Sequence, residues 1–285
     1  MSHSATMAAN PDAELEADLD AIDEAFRAQW SLFGRGPGGT YHDEGDLIWI
    51  EAPIPQLPYN AILRVRLGDD ARDRLAPVAE HFRDMGHQLL CPIMPLSSPD
   101  NLGGILESVG LGLVDPHTGM SLDLGARDVP PPPVEADGVV YREVANEADL
   151  ESYEELVGFY WELPAEAREF FRGVSRWGGY GPDAPGLRWV AYLDGQPVGK
   201  AFASLEGRPD AVGIFGVSVR HEARGRGVAS VLTEHLLHRA KGLGRSRAVL
   251  HSTPMAVGLY RRLGFVERCE IPTYATTHLH ELQTS

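Results

Sequence analysis

The sequence predicts a mixed α/β protein of two halves, each a mostly antiparallel sheet flanked by helices. Three observations predict it. Short apolar runs alternate with longer segments of helical period through all 285 residues. The turn signal DGQP at 194–197 joins two apolar runs as a hairpin does. The segment DVPPPP at 128–133 divides the chain, because four consecutive prolines donate no backbone hydrogen bonds and favour polyproline II. The expected organisation is a small, polar, disordered segment at 1–10 and an α/β unit at 11–124. A proline-rich linker at 125–138 and a second unit at 139–285 follow.

The elements follow in order. Residues 11–33 place Leu15, Leu19, Ile22, Ala25, Phe26 and Trp30 at helical spacing, with Asp12, Glu14 and Glu16 near the positive end of the helix dipole. Gly34 to Gly39 is a loop. Leu47–Glu51 and Ala61–Leu67 read as strands, separated by Pro53, Pro55 and Pro58. Asp69–Gly86 is a helix, Gln88–Met94 a short strand, Asn101–Val109 a short helix and Met120–Leu124 a strand. In the second half, Val139–Val144 is a strand, followed by helices over 148–162 and from Ala165 to Gly178. Leu187–Leu193 and Val198–Leu205 form the hairpin, and Val212–Val219 is a long apolar strand. Val228–Leu243 is a strong helix and Ala248–Ser252 a strand. Met255–Leu263 is a helix stopped by Gly264, a natural C′ residue. Phe265–Ile271 and Tyr274–His278 close the chain as two strands.

Composition narrows the function. Hydrophobic residues make up 43% and charged residues 23%, which is ordinary for a globular chain. No apolar run is long enough to span a membrane, and no basic start with an apolar stretch marks a secretory signal. Two cysteines, Cys91 and Cys269, make neither a disulfide framework nor a structural zinc site, so a cytoplasmic location is expected. A net charge of −16 argues against a nucleic-acid partner. Residues 1–138 hold 23 Asp and Glu, 8 Arg and no Lys, whereas residues 220–268 hold ten Arg and Lys against three Glu. That local basic excess is either an anion site or a solvated arginine-rich helix face.

The decisive stretch runs from Val217 to Leu232, VSVRHEARGRGVASVL. An apolar strand ends, the chain turns on Gly225 and Gly227, and a helix starts at once. The first N–H groups of a helix have no intrahelical partner, and glycines let backbone approach a phosphate closely. Arginines nearby add charge, so the turn suits a pyrophosphate. It is neither GxxxxGK[ST] nor GxGxxG, which disfavours a P-loop NTPase and a dinucleotide fold.

Arg224-Gly-Arg-Gly-Val-Ala229 resembles the R/Q-x-x-G-x-G/A pattern of the GCN5-related N-acetyltransferase (GNAT) superfamily. At the expected distance, Ala256-Val-Gly-Leu-Tyr-Arg-Arg-Leu-Gly-Phe265 resembles that family's LY-x-x-LGF segment. The resemblance covers about residues 139–275. It implies an acyl-CoA donor, most often acetyl-CoA; no metal is expected, because the histidines and cysteines offer no ligand set. It also implies backbone pairing of the pantetheine arm with Val217, Ser218 and Val219. A turn of Arg224, Gly225, Arg226, Gly227, Val228 and Ala229 would cradle the pyrophosphate. Tyr260 matches the family's tyrosine, which protonates the departing thiolate; the competing reading is a packed aromatic.

No carboxylate lies inside the strand Val212–Val219 to serve as base. Glu206 and Asp210 flank it, Ser218 is a further polar group, and His251 on the next strand is the candidate base. Water-mediated deprotonation is the alternative. His235 and His238 lie i, i+3 on a helix but lack a third ligand for a metal. His278 and His280 read as exposed.

The first half repeats the order of the second without its turn. Its nearest equivalent, Leu67-Gly-Asp-Asp-Ala-Arg72, carries two acids that repel pyrophosphate, and Asn101–Leu111 echoes the LGF segment faintly. It is identified as a degenerate GNAT-like domain in a tandem arrangement, with an unrelated α/β domain as the alternative. Its acidity either attracts a cationic acceptor or serves solubility. The expected activity is acetyl transfer to an amine of a small, cationic molecule. Rival expectations are a non-catalytic acyl-CoA-binding module, O-acylation, or decarboxylation on the same fold.

Overall fold

The computed structural model describes residues 11–160, 163–181 and 184–276. Residues 1–10, the strand end expected at 277–278, and His278 and His280 lie outside them. The first half runs α1 (Pro11–Arg35), β1 (Thr40–Asp43), β2 (Leu47–Glu51), β3 (Ala61–Val65), α2 (Ala71–Asp84), β4 (Leu90–Pro92), α3 (Leu102–Ser108) and β5 (Leu111–Asp123). The second runs β6 (Glu135–Ala136), β7 (Val139–Glu143), α4 (Glu147–Tyr160), α5 (Ala165–Trp177), β8 (Gly186–Leu193), β9 (Gln196–Ser204) and β10 (Ala211–Val219). After a 3-10 turn at His221–Ala223 come α6 (Val228–Gly242), β11 (Arg247–Ser252), α7 (Val257–Arg262) and β12 (Val266–Thr276).

Both halves share one twelve-stranded, mostly antiparallel sheet in the order β1-β2-β3-β4-β12-β5-β11-β10-β9-β8-β7-β6. Each half gives its last long strand to the other. β5 pairs with β11 from Arg247↔Asp123 to Ser252↔Thr118, and β12 lies between β4 and β5. No break in the sheet falls at the proline-rich segment.

Two departures from the sequence expectation have one cause. β5 begins at Leu111 rather than Met120, and β12 is one strand rather than two. Pro116 and Pro272 lie inside these strands, where proline cannot donate to a ladder. The β5–β12 register shifts between Ile271 and Thr273, so an extra β5 residue is taken up beside both prolines and pairing resumes. The polar strand TYHD at 40–43 had too little apolar pattern to be seen at all.

Three apolar clusters fix the layers. On one face α1, α4 and α5 pack through Phe26, Phe33, Tyr153 and Phe170 against Ile48, Ile50, Val190, Phe202 and Val249. On the other face α6 and α7 cover β8 to β11, and α2 and α3 cover the first half. α1 is about 38 Å long at 1.5 Å per residue, enough to reach across the central strands of both halves. Its buried Asp18 is compensated rather than isolated: Ser121 Oγ donates to it at 2.7 Å, and Arg247 and Arg268 pair with it.

Residues 125–138 are strapped to α6. His235 Nε2 donates to the Pro133 carbonyl at 3.1 Å, and His238 Nδ1 to that of Val129 at 2.9 Å. Lys241 Nζ reaches the carbonyls of Leu124 and Arg127. Prolines leave carbonyls without giving donors, so these side chains supply the missing donors.

Candidate functional site

The site is built where β10 leaves β11. The two strands are parallel but pair only from Ala211↔Arg247 to Gly213↔Val249. Beyond Gly213 they part, and β10 changes from buried (211–214) to partly exposed (215–219). A bulge against β9 falls between Phe215 and Ser218, with Gly216 at φ +56°. It inserts one residue and so exchanges the faces. Val212 and Ile214 face α6 before it; Val217 and Val219 do so after it, while Phe215 joins the α1 face.

The turn that follows suits an anion. Gly225 and Gly227 both have φ +76°, and a Cβ built on either meets nothing within 4 Å. The turn is therefore open to solvent on the side where side chains would project. Gly227 caps α6 from the left-handed region, no side chain bonds the helix N-terminus, and its first turn holds no acid. The amides of Val228, Ala229 and Ser230 thus present N–H groups without an intrahelical partner at the positive end of a fifteen-residue helix, and the Val231 N–H begins the ladder by donating to the Gly227 carbonyl. Arg224 is exposed and anchored by Nε to the Val219 carbonyl at 3.2 Å, and Arg226 is exposed. At the start of α2 the N-cap residue is Asp70, whose side chain makes no bond to the helix N-terminus and pairs with Arg74 at 3.6 Å.

Tyr260 sits on α7, 8% exposed, its ring 5.7 Å from that of Phe265. It shares one apolar cluster with Val217, Val219, Val228 and Leu259. The stop at Gly264 (φ +90°) turns the chain so that Phe265 N–H returns to the Tyr260 carbonyl at 3.0 Å.

His251 lies on the opposite face. Its ring is edge-on to Phe26 at 5.3 Å and Phe215 at 5.4 Å, with His117 at 5.8 Å. Burial, reinforced by His117, pushes its pKa down to about 3, so the imidazole is neutral at physiological pH. Tyr260 and His251 therefore pack in the layers on opposite faces of the sheet. The unfolded chain binds the histidine proton near pH 6.5, whereas the folded chain resists it until about 3. Stability accordingly falls as pH drops through that window. The variant His251→Gln should lose less stability than wild type between pH 7 and pH 4. The difference expected is about 2 kcal/mol, reduced because the residue is only partly buried. Denaturant titrations of both proteins at several pH values check this, and parallel curves would remove His251 as the titrating group.

The flanking carboxylates are placed elsewhere. Glu206 is exposed, and Asp210 is bound by Arg208 at 2.9 Å, which with that hydrogen bond holds its carboxyl below the usual range. Six residues of strand, about 20 Å, separate Asp210 from the bulge. Among the described residues no group of three or more His, Cys, Asp or Glu is placed to hold a metal ion, and no helix is long and apolar enough to cross a membrane.

One charged residue beside the opening went unnoticed in the sequence. Lys200 on β9 is 3% exposed. Its Nζ donates to the Gly216 carbonyl at 2.9 Å and lies 5.2 Å from the Tyr153 ring centre. Burial alone lowers its pKa to about 8. The available signal was compositional: it is one of two lysines beside 23 arginines.

Comparison with known proteins agrees with this geometry. Residues 146–265 match the sequence model of the acetyltransferase (GNAT) family. No protein with a curated description matches the chain. Among solved structures, a GCN5-related N-acetyltransferase from Kribbella flavida is 19% identical, with a TM-score of 0.65 over 91% of this chain and 98% of that one. A tandem GNAT protein from the clavulanic acid biosynthesis pathway is 16% identical, with a TM-score of 0.60 over 94% and 96%. A GCN5-related N-acetyltransferase from Sphaerobacter thermophilus is 19% identical, with a TM-score of 0.57 over 91% and 92%. These likenesses show the fold along nearly the whole chain, and the match to the acetyltransferase (GNAT) family model covers residues 146–265.

Proposed function

We propose that this GNAT acetyltransferase domain transfers an acetyl group from acetyl-CoA directly to an amine of a small, cationic molecule. The observation that carries the reading is the uncapped, acid-free N-terminus of α6 behind two left-handed glycines, at the end of a strand that parts from its neighbour. In this reading the amides from Arg224 to Ala229 bind the pyrophosphate, with Arg224 and Arg226 adding charge. The backbone of Val217, Ser218 and Val219 pairs with the pantetheine arm. Tyr260 gives its phenolic proton to the departing thiolate, inside a cluster dry enough to strengthen that transfer.

His251 supplies a neutral imidazole on the acceptor face. Its lowered pKa makes it a weak proton acceptor, so an ammonium acceptor sheds its proton to water, with His251 orienting the exchange. The first half does not bind acyl-CoA in this reading, because its corresponding helix start carries Asp69 and Asp70. Its acidic surface favours approach of a cationic acceptor.

Calorimetric titration with acetyl-CoA, with CoA as control, should give one site per chain. Two sites would restore function to the first half, and no binding would remove the acyl-CoA reading. Tyr260→Phe should lower turnover at least tenfold while changing acetyl-CoA affinity less than twofold. Equal turnover would take Tyr260 out of the mechanism. A second reading, a non-catalytic acyl-CoA-binding module, is favoured by the weak basicity of His251. Release of CoA in the presence of an amine panel decides between the two.

A further inference from the structure

We infer that Lys200 is a positioning residue that acts on the acyl donor through the Gly216–Val217 peptide, holding and polarising the one backbone unit at the bulge. The inference rests on the acyl-CoA reading of the opening between β10 and β11, and names a residue that reading does not use.

A buried ammonium is costly unless something requires it. Lys200 is 3% exposed, and no salt bridge to a carboxylate compensates it among the described residues. Its contacts are the Gly216 carbonyl at 2.9 Å and the face of Tyr153. A methionine would fill the same volume without the desolvation cost. Nor does chain composition explain it: this sequence uses arginine 23 times and lysine twice. A Cβ built on Gly216 would lie 3.1 Å from Nζ, so the ammonium stands against the bare side of the bulge glycine.

Its target is not an ordinary carbonyl. Gly216 is the bulge residue, at φ +56°, where β10 exchanges faces and has already parted from β11. The Gly216–Val217 peptide is trans, so its N–H points opposite to its carbonyl and away from Lys200. A charge-assisted bond to the carbonyl end fixes the plane of the unit and withdraws electron density from its nitrogen. The Val217 N–H thereby becomes a stronger and better-aimed donor. A donor of that kind matters most to a group that gains negative charge on oxygen, which the thioester carbonyl does and free CoA lacks. Lys200 touches no reacting atom itself.

Lys200→Met tests this without knowledge of the acceptor. The readouts are calorimetric affinities for acetyl-CoA and CoA, and the carbonyl resonance of bound acetyl-CoA carrying ¹³C at the acetyl carbonyl. The expected result is an acetyl-CoA affinity lowered about tenfold, a CoA affinity changed less than twofold, and a carbonyl resonance moved toward its free value. Equal losses for both ligands with an unmoved resonance would show that Lys200 only packs the fold, and would overturn the inference alone. If Lys200→Met does not fold, Lys200→Gln keeps a neutral donor to Gly216. The same selective loss is required of it, and its absence overturns the inference. Failure of the wild-type protein to bind either ligand would overturn the acyl-CoA reading and this inference together.

Discussion

Gly227→Asp should abolish acetyl-CoA binding, lowering affinity at least 100-fold, while leaving the protein folded. The two effects separate because of where Gly227 sits. Its φ is +76° and ψ 3°, and no atom stands within 4 Å of the place a Cβ would take, so the substitution meets no clash there. Aspartate tolerates the left-handed region better than most residues, and the strain is about 1 kcal/mol. A carboxylate beside the first amides of α6 also suits the helix itself. Binding suffers far more. The carboxylate competes for the N–H groups assigned to the pyrophosphate. It also repels that group by about 4 kcal/mol at 4 Å and an effective dielectric of 20. Gly227→Asn, which has the same shape without the charge, should lose much less. Calorimetry with melting curves on all three proteins checks both halves of the expectation. Undiminished affinity in Gly227→Asp would place the cofactor elsewhere.

Residues 139–285 expressed alone should not form the native fold, although the domain match lies wholly inside them. In the full chain β12 has β4 and β5 as neighbours, and both come from the first half. Removing residues 1–138 strips β12 of both ladders and leaves β11 with an open edge where β5 lay. It also uncovers Ala211, Val249 and Ile271, which α1 and its cluster bury. Exposed strand edges next to bared apolar surface lead to aggregation. The expected result is an insoluble fragment with no cooperative melt. Co-expression with residues 1–138 should restore a soluble complex that binds acetyl-CoA. A soluble fragment that melts cooperatively and binds the ligand alone would mean that β12 can turn back onto β11, making the exchange dispensable.

The turn at 224–227 and the segment ending at Phe265 were legible because they are local. Glycine positions, helix starts and the C′ stop at Gly264 are set by a few neighbouring dihedrals, and these leave a pattern in consecutive residues. The bulge at Gly216 was not legible, since its partner strand must be known before an extra residue can be counted. Lys200 was missed for the same reason: a lysine on a strand says nothing until the carbonyl it meets, sixteen residues on, is placed beside it. His235 and His238 stand i, i+3 on α6 and read as a possible metal pair without a third ligand. Their role as donors to proline-segment carbonyls more than a hundred residues away could not be read from spacing.

Short stretches of sequence carry the fold class, most of the helices and strands, the strand–glycine turn–helix unit and the family likeness, because each rests on hydrophobic period and backbone preference. Only the tertiary structure decided that the two halves form one sheet with exchanged last strands. It alone put Tyr260 and His251 on opposite faces of that sheet, and a buried cation against the bulge. These are matters of which residues meet across long separations in the chain. Apolar strands such as β5 and β12 carry no local mark of their partner, so pairing is chosen by the burial and hydrogen-bond satisfaction of the whole sheet.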